Sequence, residues 1–185
     1  YTVSYLTSSN LCAVTGTFDV TITDDEDGTF TYASAEYCVS GSDPTPTVTG
    51  TTGGTFSSTT GLSINSSTGE IDLSASTAGT YTVSYLTSSN TCAVTGTFDV
   101  TITDDEDGTF TYSSTEYCKS GSNPTPTVTG TTGGTFSSTA GLSINASTGE
   151  IDIAASTAGT YTVSYLTSSN LCAVTGTFDV TITDD

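Results

Sequence analysis

GTYTVSYLTSSNTCAVTGTFDVTITDDEDG (residues 79–108) contains two runs that alternate in character. Tyr81, Val83 and Tyr85 alternate with Thr82 and Ser84. Phe98, Val100 and Ile102 alternate with Thr97, Asp99 and Thr101. Side chains at period two share one face of a strand, so both runs read as β-strands with one apolar face. Asp104-Asp105-Glu106-Asp107-Gly108 follows, four acids and a glycine with no apolar residue to bury.

The stretch recurs. YTVSYLTSSN begins at Tyr1, Tyr81 and Tyr161, and FDVTITDD begins at Phe18, Phe98 and Phe178, a period of 80. Residues 24–103 and 104–183 differ at nine positions: Ala33/Ser113, Ala35/Thr115, Val39/Lys119, Asp43/Asn123, Thr60/Ala140, Ser66/Ala146, Leu73/Ile153, Ser74/Ala154 and Thr91/Leu171. Residues 1–23 match 161–183 without a change. The period is too long for a solenoid unit and suits a small sandwich. Such near-identity points to recent duplication in a longer array, and the start at Tyr1, in mid-repeat and without Met, reads as a window on a larger protein. With the junction in the acidic run, 1–23 are the C-terminal strands of a preceding repeat and 24–27 an acidic linker. Residues 28–103 form a repeat, 104–107 a second linker, 108–183 a second repeat, and 184–185 the start of the next linker. The alternative is that each acidic run is a hairpin tip inside one domain.

Within one unit, Phe30 and Tyr32 begin a strand. Thr45–Thr49 carries Pro46 and reads as an edge segment. Gly53-Gly54 turns the chain into Thr55-Phe56-Ser57, and Leu62/Ile64 lead through Ser66-Ser67-Thr68-Gly69 to Ile71/Leu73 as a hairpin. About seven strands and no helical periodicity predict an all-β fold of tandem immunoglobulin-like β-sandwich repeats.

Composition narrows function. The 185 residues include one Lys+Arg (Lys119), no His and 20 Asp+Glu, for a net charge of −19, yet charged residues are only 11%. Thr numbers 45 and Ser 28. Without His there is no Ser-His or Cys-His nucleophile and no imidazole ligand. Without a basic surface there is no nucleic-acid partner. No run approaches 18 apolar residues, so this segment inserts in no membrane. The sequence therefore reads as no enzyme.

Each unit holds two cysteines 54 apart, so the expected disulfides are Cys38–Cys92 and Cys118–Cys172, with the partner of Cys12 outside the window. Closing such a loop would stabilise by about 4 kcal/mol in the chain-entropy treatment. The competing use, a two-cysteine metal site, lacks ligands. Disulfides imply an oxidising, secreted or cell-surface setting.

GLSINSSTGEIDLSASTAGTYTVSY (Gly61–Tyr85), with its Gly-Leu, S-T-G turn and A-G-T-Y-T-V, resembles the immunoglobulin-like, cadherin-like family of bacterial surface repeats. The whole unit, in its order EYC…SG…PTPTVTG…GGTFSS, is similar to tandem repeats of giant cell-surface adhesins of gliding Bacteroidetes. The resemblance implies export and display as a long adhesin, and it carries no catalytic residue.

Other candidates are weighed from the residues. Asp24, Asp25, Glu26 and Asp27, and likewise Asp104, Asp105, Glu106 and Asp107, offer four carboxylates each, a calcium candidate set. Their plain reading is a solvated linker, and no EF-hand spacing is present. Asn65-Ser66-Ser67 and Asn145-Ala146-Ser147 match the glycosylation sequon but also suit a turn. Thr45, Thr47 and Thr49 could form an ice-binding row, and Tyr32, Tyr81 and Tyr85 a carbohydrate surface. Solvent-facing strand positions and a core are the plain alternatives. An isopeptide crosslink fails as a general device because only the second unit has a lysine.

Three functions remain. The first is a stalk or spacer of a secreted adhesin, supporting surface adhesion and gliding motility. The second is a set of repeats that bind polysaccharide or an extracellular surface by avidity. The third is a filament subunit whose partners are neighbouring copies.

Overall fold

A computed structural model describes residues 1–8, 11–88, 91–168 and 171–185. The described residues are all strand, turn and coil. A free-standing hairpin comes first, β1 (Thr2–Leu6) with β2 (Thr15–Asp19). The first repeat then supplies β3 (Phe30–Thr31), β4 (Glu36–Cys38), β5 (Thr47–Val48), β6 (Thr55–Ser58), β7 (Ser63–Ile64), β8 (Ile71–Asp72), β9 (Gly79–Leu86) and β10 (Thr95–Thr103). The second repeats them as β11 (Phe110–Thr111), β12 (Glu116–Cys118), β13 (Thr127–Val128), β14 (Thr135–Ser138), β15 (Ser143–Ile144), β16 (Ile151–Asp152), β17 (Gly159–Leu166) and β18 (Thr175–Thr183). Each repeat thus has one strand more than the pattern suggested, and several are only two residues long.

The two long strands organise each repeat. β9 and β10 run antiparallel from Thr95 opposite Leu86 to Ile102 opposite Gly79. β6 flanks β9 antiparallel, and β4 flanks β10 in parallel, giving the order β4-β10-β9-β6. Two short ladders, β3–β5 and β7–β8, add further pairs. The alternation delivers the expected face: Tyr81, Val83, Tyr85, Val100 and Ile102 are buried and pack with Phe30, Tyr32, Phe56, Leu62, Ile71 and Leu73. Phe56 and Tyr85 lie 4.5 Å apart between ring centroids, and Phe30 meets Phe56 edge-on at 5.4 Å. Such ring pairs add about 1 kcal/mol beyond the area they bury. An equivalent core gathers Phe110 to Ile182. The architecture is a tandem of immunoglobulin-like all-β sandwich repeats.

Buried tyrosines need partners for their hydroxyls, and these side chains find them in loops. Tyr85 donates to Thr51 O at 2.8 Å and accepts from Gly54 N at 2.8 Å. Tyr32 donates to Gly69 O at 2.5 Å, and burial pushes its phenol above the usual range. Gly69 itself holds φ +73, and a Cβ there would stand 2.6 Å from Pro46 Cγ.

Nearly the same 23-residue sequence, with Thr91 in place of Leu11, meets two fates. Tyr81, Val83 and Tyr85 are 7%, 0% and 1% exposed, whereas Tyr1, Val3 and Tyr5 on β1 are 87%, 58% and 71% exposed. Burial here comes from cover by Phe56, Ile71 and Leu73, not from strand propensity.

Candidate functional site: the joint between repeats

The joint is built where β4 ends. β4 lies beside the last residues of β10, with Cys38 opposite Thr103 and Val39 N–H donating to Thr103 O at 3.0 Å. Gly41 N–H donates to Cys38 O at 2.9 Å, turning the chain away. Cys38 therefore stands at the exit end of the first repeat, beside the start of the acidic run.

The second repeat approaches with its hairpin loop. Thr167, 4% exposed, cinches the loop between β17 and β18: its N–H donates to Val174 O at 3.0 Å and its Oγ1 accepts from Val174 N at 2.8 Å. Cys172 sits on that loop, and its carbonyl accepts from Glu106 N at 3.0 Å. The cysteine Sγ lies 4.0 Å from Thr103 O. Cys38 and Cys172 form a disulfide with Cα atoms 5.5 Å apart, spanning 134 residues and joining one repeat to the next. Both cysteines are buried.

This corrects the expected pairing. Cys38 is level with Thr103 at one end of β10, and Cys92 precedes Thr95 at the other. Eight strand steps separate those ends, roughly 26 Å at about 3.3 Å per residue. A disulfide requires Cα atoms within about 7 Å. Neither Cys38–Cys92 nor Cys118–Cys172 can close for that reason. The sequence could not choose, because a 54-residue pairing within a repeat and a 134-residue pairing between repeats share the same periodicity. The deciding feature, the parallel pairing of β4 with β10, leaves no local signal.

The preceding joint has the same layout. Cys92 Sγ lies 2.9 Å from Thr23 Oγ1, Cys92 O accepts from Glu26 N at 3.1 Å, and Cys92 Sγ lies 4.0 Å from Thr23 O. Cys12 is exposed on the loop between β1 and β2, and Cys118 is exposed at the end of β12.

The acids stitch the joint together. Ser40 donates to Asp105 at 2.8 Å, tying the run back to the first repeat. Asp107 turns toward the second: its Oδ1 accepts from Thr109 N at 2.9 Å and from the Thr109 hydroxyl, while its carbonyl accepts from Thr131 N at 2.6 Å. Asp27 makes the same bonds with Thr29 and Thr51. The Thr29 hydroxyl, then its N–H, hold the Asp27 carboxyl below the usual range; Thr109 does the same for Asp107. Past the acids, Gly108 lies flush against Gly176, where a Cβ on Gly176 would stand 1.9 Å from Gly108 O. Among the described residues no three carboxylates or cysteines gather as a metal site, so the calcium candidates Asp24, Asp25, Glu26, Asp27, Asp104, Asp105, Glu106 and Asp107 are not brought together.

The remaining candidates take structural places. Tyr32, Tyr81 and Tyr85 are core residues. Asn65 Oδ1 accepts from Ser67 N and Thr68 N at 2.9 and 3.2 Å, as Asn145 does in the second repeat, forming the turn of the hairpin. Of the threonine row, only Thr47 falls in a strand, one of two residues. Lys119 reaches Asp184 at 4.0 Å on the surface. A shallow depression of about 390 Å³ is lined by Asp43, Asn65, Glu70 and Asp72. Two of its carboxylates serve the fold: Asp43 accepts from Leu73 N at 2.9 Å, and Asp72 from Ser74 Oγ and Ala75 N at 2.8 and 2.9 Å.

No family model and no curated protein sequence matches the chain. Solved structures similar to it include a SusE-like surface-located polysaccharide-binding protein from the Bacteroides thetaiotaomicron heparin utilisation locus. The identity is 16% over 86% of this chain and 34% of that one, with a TM-score of 0.40. The chain thus spans about a third of that protein's length. Mouse cadherin-23 repeats EC22–24 are 15% identical over 100% of this chain and 74% of theirs, TM-score 0.36. Human protocadherin-24 EC1–2 is 10% identical over 88% and 100%, TM-score 0.39. At these scores no function passes from them to this chain.

Proposed function

We propose that these are stalk repeats of a large secreted adhesin at a bacterial cell surface, of the kind that supports surface adhesion and gliding, with the adhesive tip elsewhere. The observation that carries this reading is the Cys38–Cys172 disulfide between repeats. A bond inside a repeat stabilises that repeat; a bond between repeats fixes the joint and carries tension across it. Its loop of 134 residues stabilises by about 5 kcal/mol in the chain-entropy treatment. Disulfides persist outside the reducing cytosol, which supports the extracellular setting. The resemblance of Gly61–Tyr85 to repeats of gliding-motility adhesins supports the specific kind of adhesin. The hydroxyl-rich, acidic surface suits a spacer that remains soluble beside its own copies.

Pulled by its ends, the oxidised chain transmits force through residues 1–38, the disulfide and residues 172–185. The 134-residue span between the cysteines is held out of the load path. Single-molecule stretching with and without reductant tests this. Reduction is expected to lengthen the fully extended chain by roughly 450 Å, at about 3.4 Å per residue. Equal lengths in both conditions, or saturable binding of the chain to polysaccharide that scales with repeat number, would overturn the stalk reading.

A further inference from the structure

We propose that Cys118 is an attachment point for a further copy of this repeat, and that it forms a disulfide with that copy's counterpart of Cys172. The inference extends the stalk reading from one joint to every joint.

The completed joint and the exposed one can be compared within one molecule. Cys38 is opposite Thr103, and Cys118 is opposite Thr183. Val39 N–H donates to Thr103 O at 3.0 Å, and Lys119 N–H to Thr183 O at 3.0 Å. Gly41 and Gly121 each donate to the carbonyl of their cysteine at 2.9 Å. Ser40 holds Asp105 at 2.8 Å, and Ser120 holds Asp185 at 2.6 Å through its hydroxyl and at 3.2 Å through its N–H. The exit face of the second repeat is therefore set as the first one is, down to the first acids of the run. What differs is cover: Cys38 is 9% exposed with a repeat docked on it, whereas Cys118 is exposed and carries a thiol. The one substitution beside it, Lys119 for Val39, places its charge against Asp184 and leaves the thiol face open.

The receiving half is also present. Cys92 and Cys172 occupy the same loop position, each with its sulfur 4.0 Å from the carbonyl of the threonine just before the acidic run, Thr23 and Thr103. Each repeat thus offers one cysteine forward at its β4 position and one backward at its hairpin loop. A 134-residue span on an 80-residue period makes successive loops overlap, so the crosslinks form a continuous ladder in which no joint opens without breaking a covalent bond. Closure follows thiol–disulfide exchange with a low-molecular-weight disulfide. Two protein thiols lose two protons and two electrons, one protein S–S bond forms, and the small disulfide is reduced to two thiols.

The test lengthens the chain by one copy of residues 104–183 after Thr183, oxidises it with glutathione disulfide, blocks thiols, and maps crosslinks by mass spectrometry. The expected result is a peptide joining Cys118 to the added counterpart of Cys172, beside the intact Cys38–Cys172 bond. In the same lengthened chain Cys118→Ser should expose that counterpart to alkylation while Cys38–Cys172 survives. Alkylation of Cys118 with Cys38–Cys172 intact would overturn the proposal, as would its pairing within its own repeat. The retained Cys38–Cys172 bond reports folding of the first joint, so failure here is separate from failure of the stalk reading.

Discussion

Tyr85 anchors both the core and a loop. Its ring is 1% exposed, and its hydroxyl bridges Thr51 O and Gly54 N. Tyr85→Phe keeps the ring but strands a carbonyl and an N–H, so the expected loss is about 1–3 kcal/mol in urea unfolding; an unchanged midpoint would contradict it. Asp27 offers a test of the stitching. Its folded-state carboxyl is depressed by the Thr29 hydroxyl and N–H. A depressed carboxyl contributes stability above its unfolded value near ~3.9, and that contribution is lost as pH falls through the folded value. Carbon-detected NMR titration should place Asp27 below an ordinary aspartate, and Thr29→Val should raise it toward the ordinary value. The effect on stability is small because the group is exposed. At this scale the alternation in residues 81–85 and 98–102 announced the core, since period two is a local property. Tyr32, Tyr81 and Tyr85 were legible as core residues for the same reason. The loop partners of their hydroxyls were not, because they lie 31 to 37 residues away for Tyr85 and Tyr32.

Among the elements, β4 decides the most and was the least visible. Three residues, Glu-Tyr-Cys, carry no alternation long enough to read, and a parallel partner 65 residues on has no turn to betray it. Its placement moves Cys38 to the far end of β10 and changes the disulfide from within a repeat to between repeats. The β7–β8 hairpin is the opposite case: Asn65 and Gly69 mark the turn, and the structure uses both as such. Gly69→Ala is expected to cost at least 1–2 kcal/mol, since φ +73 disfavours a side chain and the new Cβ meets Pro46 and Phe56. A melting temperature within error of the parent would contradict that. The acidic runs act here through single carboxylates bound to Ser and Thr. A chelator is therefore expected to leave the melting temperature unchanged, and a fall of several degrees would show that calcium is held there.

At the scale of the whole molecule, the repeat made the architecture legible and the connectivity ambiguous. An exact period of 80 aligns every cysteine with a copy of itself, so bonds inside and between repeats look alike in one dimension. Only the three-dimensional length of β10 separates them. The two joints then share one design: a threonine carbonyl before the acidic run, a hairpin-loop cysteine, the acidic run and a glycine pair. Lys119 provides a direct test of the Cys38–Cys172 bond, because it is the only site for trypsin and lies between the two cysteines. In Cys118→Ser, thiols are blocked, the chain is unfolded, and trypsin cuts it into residues 1–119 and 120–185. The inter-repeat bond predicts that the two fragments run as one species without reductant and as two with it. Separation into two fragments without reductant would contradict the account.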